Sequence, residues 1–134
     1  MTSNIENEVV VLGNLIITPL IKAHDSLKKA LVQASTELER DGAIQRFEFT
    51  YELFWKTLKK ILKFKGIMVN NPRDVFRQAA KEGLIEEVEF WFEAIKQRNI
   101  TTHIYSEQYS IEVFEFIPRF EIELSKALAK IRQL

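Results

Sequence analysis

Within the stretch Arg98-Asn99-Ile100-Thr101-Thr102-His103-Ile104-Tyr105 stand an arginine, an amide, an imidazole and a phenol. Such groups can hold a phosphate, move a proton or accept a covalent modification. Arginine offers a planar, permanently charged fork for phosphate oxygens. Histidine has an unperturbed pKa near neutrality, so His103 suits proton transfer. On a continuous helix Arg98 and His103 stand about 140° apart, whereas Arg98 and Tyr105 nearly coincide. The β-branched run Ile100-Thr101-Thr102 weakens helix propensity, and a helix that frays or turns within 100–106 resets those angles. A bland reading stands beside the chemical one: Arg98 and Asn99 solvate a helix end while His103 and Tyr105 pack at the turn. An Arg-x4-His spacing alone does not separate the two.

The elements that must position this stretch read as helices. Thr18-Pro19 looks like an N-cap followed by Pro at the first helical position. Leu20, Ala23, Leu27, Ala30, Leu31, Ala34 and Leu38 then recur at steps of three and four, predicting a first helix over about 19–38. Ile44, Phe47, Tyr51, Phe54, Leu58 and Ile61 form an uninterrupted seam, and Phe49, Leu53, Trp55 and Leu62 widen it. Lys56, Lys59, Lys60, Lys63 and Lys65 crowd the end of this second helix before Gly66. They either complement its dipole or form a basic rim for nucleic acid.

Asn71-Pro72 opens a short helix with Val75, Phe76, Ala79 and Ala80 inward, closed by Gly83. A fourth starts near Glu86, with Leu84, Val88, Trp91 and Ile95 as its stripe. The last runs from about Glu107 to the C-terminus on Val113, Ile117, Phe120, Leu124, Ala127 and Ile131, with a kink expected at Pro118. Short connections favour antiparallel neighbours. The predicted fold is all-α: an antiparallel up-and-down helical bundle of four long helices plus one short helix, a single domain over residues 18–134. Residues 1–17, with Val9-Val10-Val11-Leu12 and Leu15-Ile16-Ile17, lack a partner strand elsewhere. They read as an N-terminal arm, an extra helical turn or a partner-binding extension.

Composition narrows the chemistry. The 134 residues contain no cysteine, which excludes disulfides, thiolate zinc sites and cysteine nucleophiles. Phosphate-cradling glycine loops, serine elbows and paired-histidine metal spacings are missing, and neither a metal nor a cofactor is expected. Glu86, Glu87 and Glu89 fall in a helix's first turn, where the dipole favours them. Nineteen basic and nineteen acidic residues cancel. A generic duplex-DNA binder, which draws affinity from a basic excess, is disfavoured. No apolar run approaches the roughly 20 residues of a membrane span, and the first residues lack a basic n-region. A cytoplasmic protein is expected.

Longer blocks carry a resemblance. The run from Arg40-Asp41-Gly42 through Arg46-Phe47-Glu48 to Tyr51-Glu52-Leu53-Phe54-Trp55-Lys56 resembles the second-helix signature of the HEPN-type nucleotidyltransferase substrate-binding protein family. Asn71-Pro72-Arg73-Asp74-Val75, Gly83-Leu84-Ile85 and the whole of residues 98–105 resemble it too, in the same order and spacing from about residue 18 onward. The resemblance implies a helical bundle that dimerises and is encoded beside a small, separate nucleotidyltransferase. It also implies a metal-independent ribonuclease whose Arg-x4-His-x-Tyr motif maps onto Arg98, His103 and Tyr105. In related pairs the partner neutralises this toxin by transferring AMP onto the motif tyrosine, here Tyr105. The older family name implies instead the substrate-binding subunit of a two-chain transferase. On the ribonuclease reading Arg98 and His103 are the catalytic pair, Asn99 orients them, and Tyr105 contacts RNA or is modified. Lys56, Lys59, Lys60 and Lys63 then line the RNA cleft, which a dimer would furnish with two histidines.

Overall fold

A computed structural model of the chain describes residues 7–103 and 106–134, the side chain of His103 excepted. Two short strands, β1 (Val10–Val11) and β2 (Leu15–Ile16), precede the helices α1 (Thr18–Gln33), α2 (Glu37–Phe64), α3 (Pro72–Lys81), α4 (Val88–Ile100) and α5 (Glu107–Ile131). A 3₁₀ turn, Thr101–His103, continues from the end of α4. The architecture is the all-α bundle of four long helices and one short one.

Helix α2 is the central element, packing against α1, α3 and α5, while α4 lies against α3 and α5. Its 28 residues span about 42 Å at the helical rise. Every residue of its predicted seam, from Ile44 to Ile61, is buried. Phe47 meets Phe120 of α5 edge-on at 4.8 Å, and Phe54 and Phe76 both pack on the buried Trp91 of α4. Edge and offset contacts of this kind add to the stabilisation from burying the rings. All six predicted inward positions of α5 are buried too. Phe49 departs from its expected place: it is exposed, because it lies off the seam that the neighbouring helices cover. Pro118 sits exposed within α5, and the helix continues through it.

The first helix is shorter than its apolar stripe. It ends at Gln33, and Thr36 caps α2 instead. The Thr36 hydroxyl accepts from the Glu39 N–H at 3.1 Å while Glu39 accepts from the Thr36 N–H at 3.1 Å. This reciprocal capping box satisfies two otherwise orphaned donors and holds Glu39 below the ordinary carboxylate range through hydrogen bonds from Ser35 and Thr36. Leu38 consequently belongs to α2 and is 81% exposed. Thr18 does not cap α1 either. Ile17 takes that position, and the Thr18 hydroxyl accepts from the Val9 N–H at 2.8 Å.

That hydrogen bond ties the described part of the N-terminal segment to the bundle. Its two apolar runs pair with each other, Val10 opposite Ile16 and Val11 opposite Leu15, which is why no partner strand is needed elsewhere. Val11 and Ile17 enter the core. Helix α4 begins two residues later than its acidic run suggests, because Glu87 takes a left-handed backbone at φ 51°. Glu86 and Glu87 lie before the helix and pair with Lys130 and Arg119 of α5.

Candidate functional site

Helix α4 does stop where its β-branched run begins. Thr101 donates its hydroxyl to the Arg98 carbonyl at 2.6 Å, and Thr102 donates to the Asn99 carbonyl at 2.7 Å. The same two carbonyls accept backbone N–H groups at the helix end, so the hydroxyls add a second donor to each and stabilise the tighter 3₁₀ turn. The run therefore acts through its hydroxyls as well as through its low helix propensity.

Arg98 is 22% exposed and points toward α2. Its Nη1 donates to the Thr101 hydroxyl at 2.8 Å and lies 3.3 Å from Glu48 Oε2. Its Nε stands 3.3 Å from Glu52 Oε2 but is buried without hydrogen-bond alignment, so that contact is Coulombic. Glu52 is itself held by Trp55, which donates Nε1–H at 3.1 Å, and approached by Lys56 at 3.9 Å. Beneath this group lies the buried Tyr51, whose phenol is pushed far above its usual range by burial and by Glu52, with Arg98 opposing. Tyr51 is a neutral hydroxyl at any physiological pH. The arginine of the motif is thus immobilised, its charge facing two carboxylates.

Asn99 goes elsewhere. Successive helical residues project about 100° apart, and Asn99 lines an exposed groove of about 690 Å³ on the side of α4 facing α3 and the start of α5. The structure thus separates Arg98 from Asn99 instead of placing both at one surface. His103 ends the 3₁₀ turn in the backbone; its side chain and all of Tyr105 lie outside the described residues. Of the four lysines, Lys56 is committed to Glu52. On an ideal helix Lys59 and Lys63 share the Glu52 face to within about 20°, while Lys60 is turned about 80° away. Three of the four can thus extend one surface from Arg98.

Glu48 and Glu52 were not singled out from the sequence, though a signal exists. Like charges four residues apart destabilise a helix, so such a pair calls for a cation from another element. Arg98 supplies it. A second polar cluster holds α1 to α5: His24 Nε2 lies 2.8 Å from Glu121 Oε2, and Ser125 Oγ lies 2.8 Å from that oxygen and 3.0 Å from the same ring nitrogen. A nucleophile relay needs serine and carboxylate on opposite ring nitrogens. Here they converge on one, which makes a tether.

Comparison with known proteins agrees with this architecture. Residues 15–133 match the family described as nucleotidyltransferase substrate binding protein like. A Haemophilus influenzae protein named probable ribonuclease HepT is 37% identical over 97 residues, which is 69% of this chain and 66% of that one. The chain thus spans about two thirds of the length of this curated relative. A crystal structure of a Thermus thermophilus protein superposes with a TM-score of 0.79 at 32% identity, covering 84% of this chain and 98% of that one. A Haemophilus influenzae structure described as revealing the fold of a substrate binding domain of a nucleotidyltransferase gives 0.80 at 32%, covering 87% and 98%.

Proposed function

Because the chain belongs to the nucleotidyltransferase substrate-binding protein family, we propose that it is the helical partner of a small nucleotidyltransferase and a HEPN toxin-like, metal-independent endoribonuclease. The observation that carries the reading is the immobilised Arg98, one turn before the 3₁₀ segment that ends in His103. Its relative's name, probable ribonuclease HepT, supports it.

The chemistry uses groups of this chain. One His103 takes the proton of an RNA 2′-hydroxyl, and that oxygen attacks the adjacent phosphorus. The bond from phosphorus to the 5′-oxygen breaks, leaving a 2′,3′-cyclic phosphate, and a second imidazole protonates the departing oxygen. A homodimer supplies that second His103. Arg98 stabilises charge developing on the non-bridging oxygens, and Asn99 assists from the neighbouring groove. Lys56, Lys59, Lys60 and Lys63 guide the strand. Tyr105 is the point of control: its phenol oxygen attacks the α-phosphorus of ATP held by the partner, pyrophosphate leaves, and the phenol proton passes to solvent. The added AMP brings bulk and negative charge to the place where RNA binds. The pair acts in the cytoplasm.

Purified protein incubated with single-stranded RNA in excess chelator is expected to produce cyclic-phosphate ends, and Arg98→Ala or His103→Ala to abolish them. Equal cleavage by wild type and both variants would sink the reading. One observation favours the alternative of a non-catalytic subunit in a two-chain transferase, namely that Arg98 already faces two carboxylates. Intact RNA, together with stimulated transfer by the partner onto another molecule, would decide for it.

A further inference from the structure

The groove lined by Asn99 carries what the surroundings of Arg98 lack: cations without acidic partners. Arg73 and Lys96 both line it, and among the described residues neither has a carboxylate within ion-pair distance. Arg73 is stacked instead, its guanidinium carbon 4.4 Å from the centre of the Phe92 ring. A guanidinium set over an aromatic ring is held there by cation–π attraction; Arg77 lies over the same ring farther out, at 5.6 Å. Tyr109, at the start of α5, is 46% exposed and lines the same groove. The one acid there, Glu112, accepts from the buried Gln97 amide at 3.0 Å.

A held guanidinium plane, a free phenol ring, a carboxamide and an uncommitted ammonium in about 690 Å³ form a distinctive set. An acidic peptide would need only the cations. A nucleotide uses all four: planar side chains stack on its base, an amide reads the base edge, and cations hold the phosphate.

We propose that this groove binds one nucleotide unit, with the base stacked against Arg73 and Tyr109, its edge toward Asn99 and its phosphate at Lys96. The groove begins at Asn99 and Ile100, immediately beside Arg98 and Thr101. The assignment of that unit to RNA rests on the ribonuclease reading; the groove's chemistry does not.

The test is binding of a fluorescein-labelled, 2′-O-methylated tetranucleotide, which cannot be cleaved, in parallel with unlabelled AMP and ATP as competitors. Wild type should bind the oligonucleotide. Tyr109→Ala and Arg73→Ala should each weaken it about fivefold or more, the loss expected for one base–side-chain stack. Tyr109→Phe should retain binding because it keeps the ring, and Arg73→Lys should not recover it because the plane is gone. Competition by AMP extends the site to free nucleotides, and its absence limits the site to a strand; either supports a nucleotide subsite. Absence of binding, or unchanged binding in both Tyr109→Ala and Arg73→Ala, overturns the proposal. The outcomes remain separable from cleavage. Binding without cleavage of ordinary RNA removes the ribonuclease and keeps the groove, whereas cleavage with both groove variants unaffected removes the groove alone.

Discussion

On the proposed function Arg98 serves two demands. Two carboxylates and a threonine hydroxyl restrain its guanidinium, which lowers the entropy cost of presenting it to a phosphate. The same carboxylates compete with that phosphate. Partial exposure limits these ion pairs to about 1 kcal/mol or less each, so a phosphodiester can displace them and Arg98→Ala need not unfold the bundle. The His24 tether holds a carboxylate whose pKa is lowered on folding. Burial raises the Glu121 pKa, but hydrogen bonds from Ser125 and His24, with the charges of His24 and Lys28, together hold it below the ordinary 4.5. A carboxyl whose value is depressed by folding contributes stability above its unfolded value and loses it as the pH falls. Urea midpoints should therefore drop as acid is added below pH 4.5, and Glu121→Gln should flatten that part of the decline. An unaltered acid profile in the variant would show that the tether contributes nothing.

At the scale of elements, the start of α2 matters most, because α2 carries Glu48 and Glu52 as well as the central seam. Its capping box is exposed, yet it fixes where α1 ends and α2 begins. Thr36→Ala should lower unfolding free energy by about 1 kcal/mol, the usual loss for such a cap, measured by chemical denaturation; no change would mean the turn is held by other contacts. The capping box was present in the sequence as Thr36-Glu37-Leu38-Glu39, but the periodic stripe through Leu38 obscured it. Periodicity reports which side chains could face a core, not where a chain reverses. Similarly, Thr18-Pro19 reads as a cap until the tertiary contact with Val9 claims the hydroxyl. The long seams were legible because burial against several neighbours demands an unbroken three- and four-residue spacing, and both α2 and α5 keep it.

The whole molecule has no net charge, so on the proposed ribonuclease reading attraction of RNA comes from local separation of charge. The acidic pair around Arg98 lies on one side of α4, and the uncommitted Arg73 and Lys96 lie at the groove on another. Among the described residues, no helix is long and apolar enough to cross a membrane. If a partner nucleotidyltransferase controls this molecule through Tyr105, co-expression with a neighbouring nucleotidyltransferase should raise its intact mass in AMP-sized steps. Those steps should disappear in Tyr105→Phe. Retention of the added mass in that variant would move the modification to another residue.

The sequence by itself determined the helical bundle, its buried seams and the stretch of polar groups where α4 ends, because all of these follow from spacing and residue type along one chain. Only the tertiary structure decided what those polar groups face. Arg98 meets Glu48 and Glu52, Asn99 opens onto a groove with Arg73 and Tyr109, and the N-terminal apolar runs pair with each other. Arg98 stands 50 and 46 positions from Glu48 and Glu52, and Asn99 stands 26 from Arg73; such juxtapositions depend on how helices pack, and no local pattern encodes that arrangement.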